Sequence, residues 1–367
     1  MKVKAAVAVA PNKIEVLAVD LDEPRAGECL IEVCASGICH TDDLALSGDL
    51  AEVTFPVILG HEGAGVVRKV GAGVTAVEPG DHVILLHKHA CGGCAFCLDG
   101  RTNLCLFGRE QKKRGLMPDG TTRFSIAGKP VYHYMGISTF SSHTVVAEAA
   151  VARIRKDVPL HRVCCIGCAV ATGLGAVLRA ANVKSGASVA VFGLGGVGLN
   201  VVQGARLAGA GTIIGLDTNR DRQAMARRLG VTDFIAVSGD GRDVLESVYR
   251  IAKDGVDHSF ECIGCTSVMR LALESCHFAW GRCTIVGLAR KGQELSFPPD
   301  MLDGRCLRGT TFGEMHGRKD IPTIVDWYAD GRLQIDPLIT HELPIDDIGR
   351  GFELMRRGEC LRCVIRH

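Results

Sequence analysis

The chain has 367 residues, 47% of them hydrophobic, with 42 Lys plus Arg balanced by 41 Asp plus Glu. That length gives two or three domains room for sizeable cores, and this hydrophobicity excludes general disorder. A formal charge of +1 leaves no basic excess, so nucleic acid and anionic membrane surfaces are excluded as main partners.

Taken from the N-terminus, Met1 to Pro11 holds two lysines and a short apolar run before Asn12 and Lys13. The run is too short for a secretory signal and predicts a first strand instead. A chain kept in the cytoplasm keeps its thiols reduced, so its seventeen cysteines are expected to be thiols and metal ligands rather than disulfides. From Lys2 to about Ala150, short apolar runs alternate with turn signals at Glu23-Pro24, Gly71 to Gly73, Pro79 to Asp81 and Pro118 to Gly120. Such spacing predicts short strands in a barrel-like or irregular β domain.

From about Val170 the texture changes. Apolar strands at Val189 to Phe192, Thr212 to Leu216, His258 to Cys262 and Cys283 to Leu288 alternate with helices starting near Leu199 and Asp221. This alternation predicts βαβ units and a doubly wound parallel sheet. Beyond Gly309 the pattern is mixed, with helices expected through Ile324 to Tyr328 and from Asp346 to Arg357. The most apolar stretch, Ala187 to Ala205, is glycine-rich and contains Asn200 and Gln203, which disfavours a membrane span.

Three sets of residues carry chemistry. Gly193, Gly195, Gly196 and Gly198 lie between the strand at Val189 and the next helix, the context in which a GxGxxG pattern binds a dinucleotide. Gly193 allows the tight turn, Gly195 lets backbone approach a pyrophosphate and Gly198 lets helix and strand pack closely. Asp217, nineteen residues after Gly198, is placed to accept hydrogen bonds from the ribose of NAD and to repel the extra phosphate of NADP. Arg220, close by, weakens that discrimination. The second set is Cys91, Cys94, Cys97 and Cys105. Four thiolates at this spacing close a tetrahedron around a structural zinc, with an iron–sulfur cluster as the alternative. The third set is dispersed: Cys39, His61 and Cys168 offer two thiolates and an imidazole, leaving a fourth position open as in a catalytic zinc site.

These residues, together with the runs Cys39 to Asp42, Phe55 to Gly65, Gly115 to Gly120, His133 to Gly136, Phe192 to Gly198 and Phe260 to Gly264, make the chain resemble the zinc-dependent medium-chain alcohol dehydrogenases. It is most similar to class III, the glutathione-dependent formaldehyde dehydrogenases. The resemblance implies a GroES-like, β-rich catalytic domain at 1–169 and 312–367 and a doubly wound Rossmann domain at 170–311. It makes Cys39, His61 and Cys168 the catalytic zinc ligands, sets Glu62 behind the metal and Asp42 behind the ligand histidine, and gives His40 and Arg362 to the cofactor pyrophosphate.

The resemblance also assigns Thr41 to take the hydroxyl proton. Leu44 occupies the position where relatives continue the proton path, which leaves His40 as an exit. Substrate contacts are implied for Leu44, Glu52, His87, Arg109 and Phe140. His87, Lys88 and His89 also read as a solvated basic turn. Leu50 and Phe278 stand where class III has an acid and a lysine for glutathione. The sequence therefore predicts an NAD-linked enzyme with two zinc ions per chain, acting on medium-chain or aromatic primary alcohols. The alternatives are oxidation of S-(hydroxymethyl)glutathione or another thiol adduct, and a catalytically silent nucleotide-binding protein. By analogy with dimeric relatives, the segment Gly115 to Gly136 suggests a homodimer.

Overall fold

The computed structural model describes residues 1–50, 53–238 and 243–367. They form two compact units, Met1–Cys168 with His316–His367, and Ala169–Met315. The boundaries thus fall after Cys168 and Met315, against 169 and 311 expected from sequence.

The first unit is built from two β systems. Strands Lys2–Ala10, Lys13–Leu21, Phe124–Ile126, Lys129–His133 and Val57–Ile58 close a barrel. Its apolar residues interdigitate with those of helices His40–Ser47 and Ile348–Arg356 in one core. The second system is a sheet centred on strand Glu28–Gly37, which pairs antiparallel with Glu62–Val70, Arg362–Arg366 and His143–Ala147. Register is what assembles the site: Gly37 lies opposite Glu62 in the ladder. The residues just beyond those two strand ends, Cys39 and His61, are thereby brought together. Gly37 has to be glycine, because a Cβ there would run into the Glu62 carboxylate and stand 3.0 Å from the Cys165 sulfur. Gly60 adopts φ +89°, with no room for a Cβ against Phe140 and Thr139; this turn delivers His61 to the strand end.

The second unit is a six-stranded, wholly parallel sheet. Numbered within the unit, its strands Ser188–Phe192, Thr212–Asp217, Asp233–Ala236, His258–Glu261, Arg282–Ile285 and Cys306–Gly309 run in the order 3-2-1-4-5-6. That is the doubly wound order, which reverses direction beside the first strand and opens a crevice at its carboxyl end. Helix Gly196–Leu207 begins there. Helix Arg222–Leu229 starts directly after Asp221, whose side chain makes no capping hydrogen bond. Sequence periodicity missed the short strands Asp233–Ala236 and Cys306–Gly309, whose residues are all partly exposed and so lack a continuous apolar run. Among the described residues no single helix is long and apolar enough to cross a membrane.

Candidate active site

Cys39 ends the turn after Glu28–Gly37 and caps helix His40–Ser47. The carboxylate of Asp42, three residues on, accepts the Cys39 N–H at 3.0 Å, the Gly60 N–H at 3.1 Å and Nδ1 of His61 at 2.9 Å. One fully buried carboxylate therefore fixes the helix start, the Gly60 turn and the imidazole together. With Nδ1–H committed to Asp42, Nε2 of His61 is left as the donor to a metal. Burial lifts the Asp42 carboxyl above its ordinary range, and the facing His61 pulls it back.

Cys168 follows the turn Cys164–Gly167. Ligand atoms of Cys39, His61, Glu62 and Cys168 all lie within 4.8 Å of one another. A hydrogen bond with Cys168, helped by His61 and Arg362, holds the buried Cys39 thiol well below its ordinary value, so the pair readily supplies a thiolate. Glu62 is fully buried with neither oxygen hydrogen-bonded; burial pushes its carboxyl up to about 7 against the pull of Arg362, whose Nη2 stands 3.3 Å away. Two sulfurs, an imidazole and an unsatisfied buried carboxylate fit a divalent cation with an open coordination position. Arg362 also donates to the Ile38 carbonyl at 3.0 Å.

Thr41 sits beside this cluster, its hydroxyl 3.7 Å from the Cys39 sulfur. Tyr134, in the run His133 to Gly136, was given no role by sequence. Its ring packs edge-on against His61 at 5.9 Å, and its hydroxyl donates to the Thr41 carbonyl at 3.2 Å. His40 is exposed at the helix start, whereas Leu44 is buried in it. His87 packs edge-on against His61 at 5.5 Å, with Nδ1 3.2 Å from the Gly167 carbonyl. His87 and His89 are both buried, which corrects the reading of 87–89 as a solvated turn. Phe140 is also corrected: its side chain is fully buried and packs edge-on against Phe352 in the barrel core, so it fills the core instead of lining a substrate pocket. Arg109 is exposed on the short helix Arg109–Lys113. Glu52 lies outside the described residues.

Cys91, Cys94, Cys97 and Cys105 form a second group, their sulfurs within 4.8 Å of one another. The N–H groups of Cys91 and Phe107 donate to the Cys105 sulfur at 3.4 Å each. Backbone N–H groups of Leu106 and Cys97 hold the Cys94 thiol down to about 6. Burial pushes the Cys97 thiol up to about 12 and the Cys105 thiol above its ordinary value, so in this group the amides ease Cys94 most, and four thiolates, once a metal draws off their protons, make a closed tetrahedral site. All seventeen cysteines are free thiols.

In the second unit, Gly193 has φ +88° and Gly198 packs onto the Gly193 carbonyl so closely that a Cβ has no space. A Cβ on Gly195 meets only Nη1 of Arg222, at 3.8 Å. The loop is therefore open where a pyrophosphate would approach. Gly196 starts the helix, whose first-turn N–H groups have no intrahelical acceptor. Asp217 accepts the Leu194 N–H at 2.7 Å and the Asn219 N–H at 2.8 Å. The cation paired with it is Arg222, at 3.1 Å, and not Arg220, which is exposed. Sequence reading passed over Arg222 because it lies inside the following helix, whose first turn folds it back over the loop.

Comparison with known proteins accords with this geometry. Residues 25–156 match the alcohol dehydrogenase GroES-like domain family, and residues 196–330 match the zinc-binding dehydrogenase family. The chain is 51% identical to S-(hydroxymethyl)glutathione dehydrogenases of Paracoccus denitrificans and of Escherichia coli O6:H1, with all of each chain covered. Among solved structures, an alcohol dehydrogenase zinc-binding domain protein from Burkholderia ambifaria superposes with a TM-score of 0.94 at 33% identity. Benzyl alcohol dehydrogenase from Acinetobacter calcoaceticus superposes with 0.93 at 28%. Each of these comparisons covers 100% of this chain and 99% of the other. The chain is thus an enzyme of the zinc-dependent medium-chain alcohol dehydrogenase family, similar to its class III branch.

Proposed function

We propose that the enzyme oxidises S-(hydroxymethyl)glutathione, or the formaldehyde adduct of a closely related thiol, with NAD as hydride acceptor. The observation carrying this is the end-to-end 51% identity to S-(hydroxymethyl)glutathione dehydrogenases, joined to an intact set of metal-site residues. It reverses the order expected from sequence, in which uncharged primary alcohols came first. That second reading keeps one specific support: Leu50 and the exposed Phe278 stand where charged partners of glutathione are expected.

Zinc held by Cys39, His61 and Cys168 would polarise the substrate hydroxyl, and bound NAD would accept the hydride. The chain's own residues do the rest. Asp42 orients His61 and keeps Nε2 available. Tyr134 holds the Thr41 backbone, so the Thr41 hydroxyl stays beside Cys39, where it can take a hydroxyl proton. Leu44 cannot pass that proton inward, so it leaves toward solvent at His40. Asp217 recognises the adenosine ribose, and Arg109, with no carboxylate partner among the described residues, offers a cation to a substrate acid.

The test compares kcat/KM for formaldehyde mixed with glutathione with that for long-chain and benzylic alcohols. The thiol adduct is expected to win, and Arg109→Ala is expected to remove most of its advantage. Higher efficiency on plain alcohols, insensitive to Arg109→Ala, establishes the second reading instead.

A further inference from the structure

In the second unit, the chain leaving the last strand, Cys306–Gly309, enters a turn that most side chains avoid. Phe312, Gly313 and Glu314 have φ of +57°, +60° and +59°, so all of them lie in the left-handed region. Phe312 and Glu314 carry side chains that disfavour it. Such a turn persists only where its surroundings over-determine it, and here they do. Gly313 lies backbone to backbone on the end of helix Ala169–Gly175: a Cβ on it would stand 2.6 Å from the Thr172 carbonyl oxygen and 2.7 Å from the Ala176 nitrogen. Phe312 is buried. Arg308, on the last strand, closes the arrangement. Its Nη2 pairs with the Glu314 carboxylate, and its Nη1 donates to the Ala180 carbonyl at 2.5 Å, near the end of the π-helical segment Ala176–Ala181. One guanidinium thus ties together the strand, the left-handed turn and a helical form that recurs at functional sites.

Position in the sheet gives this clamp its meaning. Asp217 ends the second strand and the glycine loop follows the first, so adenosine and pyrophosphate belong to that side of the crevice. A dinucleotide continuing across the switch point brings its nicotinamide half over the carboxyl ends of the fourth to sixth strands, where this turn begins. Thr310, the first residue beyond the last strand, has a buried hydroxyl without a hydrogen-bond partner at that end. The Arg308 and Glu314 side chains are 39% and 35% exposed, so their ion pair adds little stability. Glycine at 314 would take the same φ without strain. Stability is therefore a poor reason for glutamate there. We propose that Arg308 and Glu314 are positioning residues that hold the Phe312–Glu314 turn as the seat of the cofactor's nicotinamide half. The inference rests on the NAD reading above.

The experiment measures dissociation constants of the zinc-loaded enzyme for NADH and for ADP-ribose, which keeps adenosine and pyrophosphate but lacks nicotinamide. Arg308→Met is expected to weaken NADH by about tenfold, the worth of one well-placed hydrogen bond, and to leave ADP-ribose within about twofold. Arg308→Lys, which keeps the charge, should recover most of the NADH affinity. Glu314→Gly is expected to weaken NADH alike while the thermal midpoint stays level or rises, because the turn loses its strained side chain. In Arg308→Met and Glu314→Gly the emission of bound NADH should move toward that of free NADH.

Unchanged NADH affinity, or equal losses for NADH and ADP-ribose, overturns the proposal and leaves the clamp as a brace for the fold alone. NADPH and its nicotinamide-free counterpart separate this failure from failure of the cofactor reading. If wild type binds NADPH far more tightly than NADH, the NAD reading fails, and a selective loss of NADPH in Arg308→Met keeps the clamp.

Discussion

Asp42 makes three hydrogen bonds with one carboxylate and holds three backbone elements in register around His61. Asp42→Asn keeps the shape but replaces the anion that fixes Nδ1–H, and it can present an amide donor where an acceptor is needed. Zinc affinity at the first site is expected to fall by about 10–100-fold, read by zinc retained against a competing chelator, with the four-cysteine site keeping its ion. Retention equal to wild type would show that the imidazole is positioned by packing alone. Asp217 makes the parallel case in the second unit. Its carboxylate engages Leu194, Asn219 and Arg222, so removing it both frees a guanidinium and deletes an acceptor. Wild type is expected to prefer NAD, and Asp217→Gly is expected to narrow the NAD-to-NADP efficiency ratio by about tenfold or more. No change in that ratio would move ribose recognition elsewhere. The metal residues and Asp217 were legible in the sequence because their spacing and strand context restrict what they can do. Tyr134 and Arg222 were not, because each acts on a residue distant in sequence or through a helix turn that spacing does not reveal.

Among the elements, the barrel hairpin is pinned to the sheet by a buried ionic network. Arg123 reaches both oxygens of Glu28 on the central strand and one of Asp119, and its own N–H donates to Nε2 of His133 at 3.3 Å. His133 is buried against Phe124. Burial, reinforced by the charge of Arg123, lowers its imidazole to about 3. The folded value is thus below the unfolded 6.5, and the unfolded chain binds the extra proton. The contribution of His133 to stability is therefore complete above about pH 6.5, shrinks as pH falls and is lost by about pH 3. Over that window it is worth roughly 5 kcal/mol. His133→Gln, which offers Oε1 to the same N–H, should flatten the acid limb in denaturant titrations relative to wild type. Identical acid limbs would assign the loss to carboxylates alone. None of this network was readable beforehand: the turn at Pro118 to Gly120 could be seen, but not the 95-residue reach from Arg123 to Glu28.

For the whole molecule, the change from irregular β texture to βαβ alternation reflects two periods, one marking half-exposed strands and the other strands buried on both faces. Two metal groups of opposite character then sit in the first unit: a site with an open position built on strand ends distant in sequence, and a closed site built within fifteen residues of chain. Zinc analysis of the purified enzyme is expected to give two ions per chain. Cys168→Ser should lose one ion and turnover while leaving the thermal midpoint nearly unchanged, because sheet pairing and Asp42 still hold that region. Cys94→Ser should also lose one ion, but segment 91–113 has only two very short α-helices and little apolar core. For such a lobe, metal binding supplies much of the folding free energy, so the variant should become protease-sensitive there at a lower thermal midpoint. The two phenotypes should be separable in one experiment that measures zinc content, cleavage sites and kcat/KM together. One ion per chain in wild type, a visible iron–thiolate absorption, or cleavage of both variants at the same sites would overturn the division into an open site for chemistry and a closed site for structure.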